Sequence, residues 1–153
     1  LRDFPGLEHR LEFVCEIRGV KFINDSKGTN IGAVAKSLEG LQNVILIMGG
    51  RDKDGNFTVL KDLVKQKVKT LVLLGEAKDK IAKALGNAAD TVFANDIREA
   101  VKLSLSRAYD GDVVLLSPGC ASFDMFVDFE DRGEKFKEAV KEVSRKSRDK
   151  VQS

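Results

Sequence analysis

The sequence has few of the residues that build metal and disulfide sites, with two cysteines and one histidine among 153 residues. Cys15 and Cys120 lie far apart, and neither belongs to a Cys-x-x-Cys pair or a Cys/His cluster. Zinc sites and disulfide scaffolds need several such residues at close spacing, so both classes are excluded and no metal site is expected. A catalytic cysteine is disfavoured because no second histidine exists to pair with Cys120. Both cysteines are expected to be reduced core residues of a cytosolic protein.

Long apolar runs and a charge excess of one sign are also missing. No stretch of 18 or more apolar residues occurs, which excludes a transmembrane helix, and residues 1–10 lack the apolar core of a secretory signal. The net charge is only +2, which gives no support for bulk binding to nucleic acid or to a membrane surface. A hydrophobic fraction of 42% is enough for the core of one globular domain. Because the chain starts at Leu1 and not at Met, we expect one domain of a longer protein.

Hydrophobic periodicity predicts strands that alternate with helices. Residues 11–18 alternate apolar and polar positions, and with residues 20–24 beyond Gly19 they predict a β-hairpin. Continuous apolar runs predict buried parallel strands over residues 44–48, 70–74 and 112–117, and a further short strand is predicted over residues 91–93. Helices are predicted over residues 31–38, 57–65, 78–85, 97–108 and about 130–143.

These elements predict an α/β fold with three layers and a mostly parallel six-stranded sheet, in which the hairpin contributes an antiparallel strand. The domain is expected to cover residues 1–143. Residues 144–153 are polar and basic, and they are expected to form a frayed or disordered tail.

Polar and cationic residues follow three of the predicted strands, in residues 25–30, 49–53 and 117–122. Ligands of parallel α/β sheets bind beyond the carboxyl ends of the strands, so these loops are expected to meet at one edge. Taken singly, each residue fits a turn, a helix cap or a solvated charge. Together they favour a site for carboxylates or phosphates, with donors from Lys27, Arg51, Lys53, Thr29, Ser117 and Ser122. No Walker A motif and no GxGxxG fingerprint occurs, so any nucleotide phosphate cradle lies elsewhere.

Four segments resemble a known family. Residues 6–12 read GLEHRLE, residues 22–30 read FINDSKGTN, residues 48–50 read MGG and residues 116–124 read LSPGCASFD. Further matches are Lys53, Phe126, Phe129, Glu130, Arg132, Gly133 and Phe136. Over about residues 4–143 the chain resembles the C-terminal domain of the Mur ligases, a Rossmann-like domain. The NDSKGTN segment resembles the D-glutamate-adding branch, except that Gly28 stands where alanine is common.

The resemblance implies one domain of a three-domain, ATP-dependent amide ligase. Such an enzyme joins D-glutamate to UDP-N-acetylmuramoyl-L-alanine through an acyl phosphate, in the synthesis of peptidoglycan precursors. ATP and Mg²⁺ are expected to be bound mainly by the other domains, so this chain alone is expected to be inactive. A cytoplasmic monomer without nucleic-acid or membrane partners is expected.

The resemblance also implies roles for individual residues. Lys27 is the expected catalytic residue, which stabilises the phosphoryl or tetrahedral species. The nucleotide is expected to contact His9, Arg10 and Asp25. D-Glutamate is expected to contact Thr29, Lys53, Ser122, Phe123 and Phe129.

Plainer interpretations stay open beside these roles. The phenylalanines are also typical packing residues, and His9 also fits a linker. Two other functions remain: a sister Mur ligase or folylpolyglutamate-synthase-like domain, against which Lys27 and Thr29 argue, and a non-catalytic α/β module that binds a small acidic ligand.

Overall fold

In the part of the chain that the structure describes, the sheet has six strands in the order β1-β2-β6-β3-β4-β5. The computed structural model describes residues 8–52, 54–122 and 125–152. The strands are β1 Glu12–Ile17, β2 Val20–Asn24, β3 Val44–Gly49, β4 Val68–Leu74, β5 Asp90–Phe93 and β6 Val113–Leu116. The β1–β2 pair is the antiparallel hairpin, and every other neighbouring pair is parallel. The predicted fold class is therefore confirmed.

Within the described ranges, five α-helices connect and cover these strands: α1 Ile31–Glu39, α2 Lys61–Lys67, α3 Lys78–Leu85, α4 Ile97–Arg107 and α5 Phe129–Gln152. The helix predicted over residues 57–65 is divided, because Phe57–Leu60 form a 3-10 turn before α2 begins. Among the described residues, no helix is both long enough and apolar enough to cross a membrane.

Helix α5 is longer than the sequence predicts. The apolar pattern stops near Val143 and predicts the end of the helix there, but the helix continues to Gln152. Residues 134–152 contain no glycine or proline and are rich in Glu, Lys and Arg, which are good helix formers. A pair at i, i+4, Glu142 with Lys146, adds modest support to this polar part.

Two hydrophobic clusters fill the space on the two faces of the sheet. One contains Phe22, Val101, Phe136 and Val140, so α4 and α5 cover that face. The other contains Val34, Phe57, Leu60 and Ile81, so α1, α3 and the 3-10 turn cover the opposite face. Apolar side chains on both faces explain why β3 is buried along its whole length. Cys120 is buried and Cys15 is half-buried.

The strand order decides which loops are neighbours. Because β6 lies between β2 and β3, the loop after β6 lies between the loops that follow those two strands. Residues 25–30, 117–122 and 50–52 therefore share one edge of the sheet, at the carboxyl ends of parallel strands.

Candidate functional site

Backbone hydrogen bonds join the three loops at this edge. The Gly119 N–H donates to the Gly28 carbonyl at 2.7 Å, which links the loop after β6 to the loop after β2. Arg51 and Ala121 exchange two bonds, at 2.8 and 3.0 Å, which link the loop after β6 to the loop after β3. The three segments thus form one continuous backbone surface.

The side chain of Arg132 holds the loop after β2 and the loop after β6 together. It is 2% exposed. Its Nε donates to Ser26 Oγ at 3.0 Å, one terminal nitrogen donates to the Ser26 carbonyl at 2.9 Å, and the other donates to the Cys120 carbonyl at 3.1 Å. The planar guanidinium satisfies three acceptors in fixed directions, which a lysine ammonium does not do.

This role of Arg132 was not predicted from the sequence. A signal was present, because Arg132 follows Phe129 by three residues and precedes Phe136 by four, on the apolar face of α5. A charged residue in such a stripe is buried only when it is paired or hydrogen-bonded.

One cleft at this edge is lined by Thr29 and has a volume of about 460 Å³. We call it the Thr29 cleft. Its other lining residues are Asn30, Ile31, Gly32, Arg51, Asp52, Gly55, Gly119, Cys120 and Ala121. It includes the first turn of α1, where backbone N–H groups lack helical partners, although the Asn30 side chain accepts from the Ala33 N–H at 2.9 Å.

The positive charge of Arg51 in this cleft is paired with Glu76. Its Nε and a terminal nitrogen lie 3.2 and 3.1 Å from the two carboxylate oxygens of Glu76, which follows β4. The hydrogen bond from Arg51 lowers the pKa of the Glu76 carboxyl group. Lys53, the other cation predicted for this loop, lies outside the described residues.

A second cleft, of about 320 Å³, lies on the other side of Lys27 and Gly28. We call it the Arg10 cleft. Its lining residues are Arg10, Leu11, Asp25, Lys27, Gly28, Ala33, Lys36 and Ser37. Residues 27–29 therefore separate the two clefts, since Lys27 and Gly28 line one and Thr29 lines the other.

The carboxylate of Asp25 is only 3% exposed in the Arg10 cleft. One oxygen accepts from Ser37 Oγ at 2.6 Å and from Ser117 Oγ at 2.8 Å, and the other accepts from the Leu11 N–H at 3.2 Å. Burial raises the pKa of Asp25, and these hydrogen bonds only partly offset that effect. Asp25 thus connects the segment before β1, helix α1 and the loop after β6.

His9 contacts Lys27 through the backbone and lines neither of these two clefts. The ring is buried, and its Nδ1 lies 2.8 Å from Asn24 Nδ2. Because the Asn24 oxygen accepts from the Ser26 N–H at 3.1 Å, Asn24 Nδ2 is the donor and Nδ1 is the acceptor. The neutral ring therefore carries its proton on Nε2, 3.4 Å from Glu134 Oε2.

A backbone hydrogen bond connects His9 with Lys27. The His9 carbonyl accepts from the Lys27 N–H at 2.9 Å, and His9 has φ 67°, in the left-handed region. Gly133 of α5 makes room for the ring, because a Cβ there would lie 2.1 Å from His9 Nδ1. The packing of the ring on α5 therefore fixes the backbone on which Lys27 is mounted.

Phe129 lies between His9 and Lys27. Its ring meets the His9 ring edge-on at 6.2 Å, and Lys27 Nζ lies 6.0 Å from its centroid. The Phe129 carbonyl accepts from Ser26 Oγ at 2.6 Å. Its N–H lies in the first turn of α5, capped by Asp128, and so has no partner within the helix.

Ser122 is 2% exposed. Its carbonyl accepts from the N–H groups of Met125 and Phe126, while its hydroxyl has no hydrogen-bond partner among the described residues. Ser122 thus places a buried hydroxyl group in the loop after β6. Phe123, the next predicted contact, lies outside the described residues.

One group of possible metal ligands comes together in the part of the chain that the structure describes, namely Glu8, His9 and Glu134. Lys137 Nζ lies 2.7 Å from a Glu8 oxygen and 3.1 Å from a Glu134 oxygen. Although burial acts in the opposite direction, hydrogen bonds to these carboxylates and to Glu12 raise the pKa of Lys137. An ammonium thus already neutralises the carboxylates, and the arrangement does not fit a divalent cation.

Residues 9–120 match a family model described as Mur ligase, glutamate ligase domain. The chain is 51% identical over 142 residues to the UDP-N-acetylmuramoylalanine–D-glutamate ligase of Syntrophus aciditrophicus (strain SB). The alignment covers 92% of this chain and 31% of that protein. A protein of the same name from Caldicellulosiruptor bescii is 50% identical over 146 residues, covering 94% of this chain and 32% of that protein. The chain therefore spans about a third of the length of the curated relatives it matches.

Solved structures share the fold at lower identity. The UDP-N-acetylmuramate–alanine ligase from Thermotoga maritima aligns with a TM-score of 0.62 at 16% identity, over 94% of this chain and 32% of that chain. The bifunctional folylpolyglutamate synthase/dihydrofolate synthase from Yersinia pestis CO92 aligns with a TM-score of 0.59 at 18% identity, over 77% of this chain and 29% of that chain. At such identities the likeness concerns the fold alone.

Proposed function

This chain belongs to the Mur ligase family as a glutamate ligase domain, and from that premise we propose that it serves an ATP-dependent ligase which joins D-glutamate to UDP-N-acetylmuramoyl-L-alanine. The observation that carries the proposal is the pair of clefts on either side of residues 27–29. An amide ligase that uses ATP must hold a nucleotide and an amino acid next to each other. Two adjacent clefts with Lys27 between them fit that requirement.

The Thr29 cleft and the loop after β6 would receive D-glutamate. A dicarboxylic amino acid needs a separate set of donors for each carboxylate. The Thr29 hydroxyl and the Lys53 ammonium would hold the α-carboxylate. Ser122, Phe123 and Phe129 would hold the side-chain carboxylate. Two observations support this assignment: the Ser122 hydroxyl has no hydrogen-bond partner among the described residues, and the Phe129 N–H lies in the first turn of α5, where it has no partner within the helix.

The Arg10 cleft would receive part of the nucleotide. Arg10 would contact phosphate, and the Asp25 carboxylate, which lines this cleft, would accept from ribose hydroxyls. His9 would contribute through Lys27, since its carbonyl holds the Lys27 N–H and its ring is buried on α5. Because Lys27 is exposed and stands between the clefts, its ammonium is suited to stabilise negative charge that develops during transfer.

The proposed reaction has two steps. The alanyl carboxylate oxygen attacks the γ-phosphorus of ATP, ADP leaves, and an acyl phosphate forms. The D-glutamate amine then attacks the acyl carbon, loses a proton, and expels inorganic phosphate as the amide bond forms. This chain's own residues contribute position and charge neutralisation, and no side chain here acts as a nucleophile. From the likeness to the family, magnesium would be held with ATP mainly by other parts of the enzyme.

The test is a set of substitutions in the ligase that contains this chain. We expect Lys53→Ala and Thr29→Val each to raise the KM for D-glutamate about 10- to 100-fold, because each removes a donor to a carboxylate, and to raise the KM for ATP far less. Arg10→Ala should show the reverse selectivity. Lys65→Ala, which removes an exposed lysine from α2, is the matched control. Equal effects of Lys53→Ala on both KM values would refute the assignment.

A panel of amino acids tests the substrate. We expect amide formation with D-glutamate and little with L-glutamate, L-alanine, L-lysine or a diamino acid. Preference for another amino acid would assign the chain to a sister ligase. The chain by itself should release no phosphate from ATP in the presence of both other substrates, and turnover by the chain alone would contradict the proposed division of labour.

A further inference from the structure

Lys36 lines the Arg10 cleft, although nothing in the motifs of the sequence points to it. Ala33, Lys36 and Ser37 share one face of α1 because they are spaced at i, i+3 and i+4. That face forms one wall of the cleft, and Arg10 with Leu11 and Lys27 with Gly28 form the others. Three cations on three separate segments of the chain, two loops and α1, therefore line one cleft.

Positive charge is in excess in the lining of this cleft, which has three cations and one carboxylate. The charge of Arg10 acts on that carboxylate, so the excess lies with Lys27 and Lys36. The carboxylate, Asp25, is buried and already accepts from Ser37, Ser117 and the Leu11 backbone. Among the residues that the structure describes, Lys27 and Lys36 form no ion pair, whereas Lys69, Lys80 and Lys137 each do. Like charges around one cleft repel one another unless an anion binds between them.

The form of the cleft fits a phosphate chain attached to a less polar group. Cations on separate walls reach several anionic oxygens at once. Leu11 is 47% exposed, and with Ala33 and the aliphatic stem of Lys36 it offers apolar surface for a sugar. We propose that Lys36 binds the phosphate chain of the nucleotide in the Arg10 cleft, an inference that rests on the function proposed above.

Lys36 is a binding residue in this proposal and does not act on the reacting bond. It lies near the end of α1, whereas Lys27 stands at the boundary between the two clefts. An interaction made equally with bound ATP and with the transition state lowers KM and leaves kcat unchanged. Loss of Lys36 should therefore appear in the KM for ATP, and it should make that KM less dependent on salt.

The experiment compares four variants of the complete ligase: Lys36→Ala, Lys36→Arg, Arg10→Ala and Lys83→Ala. Lys83 is a matched control, because it is also an exposed lysine in the last turn of a helix but does not line this cleft. We expect Lys36→Ala to raise the KM for ATP about 3- to 10-fold, as is usual for a partly exposed charge contact, with kcat and the KM for D-glutamate within about twofold of their original values. Lys36→Arg should restore most of the affinity. As a second measurement, the chain itself is titrated with inorganic tripolyphosphate at two salt concentrations, and Lys36→Ala should weaken that binding.

The outcomes separate this inference from the proposed function. If Arg10→Ala raises the KM for ATP and Lys36→Ala behaves like Lys83→Ala, the role of Lys36 is refuted and the ligase function stands. If Lys36→Ala raises both KM values equally, the role is also refuted, because the effect is then structural. If neither Arg10→Ala nor Lys36→Ala changes the KM for ATP, the nucleotide site itself is refuted.

Discussion

The guanidinium of Arg132 donates hydrogen bonds to both the hydroxyl and the carbonyl oxygen of Ser26, a residue 106 positions earlier in the chain. A third bond, to the Cys120 carbonyl, adds the loop after β6 to the same group. The first turn of α5 thus determines how the loop after β2 and the loop after β6 lie relative to each other. Both clefts depend on that relationship, because Thr29 and Cys120 line one, and Lys27 in the Ser26 loop lines the other.

Arg132→Lys is expected to destabilise the domain by about 2–4 kcal/mol. The planar guanidinium donates to three acceptors in fixed directions, and because a lysine ammonium cannot reach all three, buried acceptors would be left without a donor. Urea unfolding followed by circular dichroism measures the loss. Arg145→Lys makes the same substitution at an exposed position of α5 and should change the free energy of unfolding by less than about 0.5 kcal/mol. Equal stability of Arg132→Lys and the original chain would show that the guanidinium does not organise these loops.

Gly133→Ala should destabilise the domain, although alanine is ordinarily the better residue inside a helix by about 1 kcal/mol. The new Cβ would lie 2.1 Å from His9 Nδ1, so the ring must leave its site and lose its bond with Asn24. In a His9→Gly background the clash is absent, and glycine also suits the φ of 67° at that position. There Gly133→Ala should become neutral or stabilising, which thermal unfolding of the four chains will measure. A loss of the same size in both backgrounds would contradict this account.

Gly28→Ala should strain the contact between Asp25 and Ser117. A Cβ at position 28 would lie 2.8 Å from Ser117 Oγ and 2.9 Å from Asp25 Oδ2, so one of the two side chains must move. We expect a loss of about 1–2 kcal/mol, typical of overpacking. A double-mutant cycle with Ser117→Ala is the measurement, because removing the hydroxyl relieves part of the clash. Additive effects would show that the two positions do not interact.

Asp25→Asn should change how stability depends on pH. The pKa of Asp25 is raised above its ordinary value of 3.8 in the folded chain, so the folded state binds the proton more tightly than the unfolded state does. The contribution of this group to stability is therefore greatest at low pH and falls as the pH rises from about 3.8 through the folded pKa. Asparagine cannot titrate, and its amide can still pair with Ser37 and Ser117.

The difference in free energy of unfolding between the original chain and Asp25→Asn should therefore decrease between about pH 3.5 and pH 7, with no further change above the folded pKa. Urea unfolding at several pH values measures it. Asp79→Asn removes one exposed carboxylate and controls for net charge. An increase of the difference with pH would mean that the pKa of Asp25 is lowered.

Much of the fold was predictable because it depends on local patterns. The continuous apolar run at residues 44–48 predicted β3, and the alternation on either side of Gly19 predicted the hairpin. The end of α5 was wrong because apolar periodicity reports only the part of a helix that packs on the core, whereas helix-forming polar residues extend beyond it.

The candidate site was predictable in its residue types but not in its pairings. The loops after the strands were identified from their polar residues, and Thr29, Lys27 and Asp25 do line clefts. That Arg51 pairs with Glu76 depends on the packing of the loop after β3 against the loop after β4. No local pattern records such a contact.

The sequence by itself determined the elements, the family and the small set of polar loops, because hydrophobic periodicity and short motifs are properties of neighbouring residues. Only the tertiary structure decided that β6 lies between β2 and β3, that His9 is buried on Gly133, and that Lys36 and Arg10 line the same cleft. Those relationships arise from burial and hydrogen bonding between residues far apart in the chain. Their free energy depends on the whole packed arrangement, so no single segment specifies them.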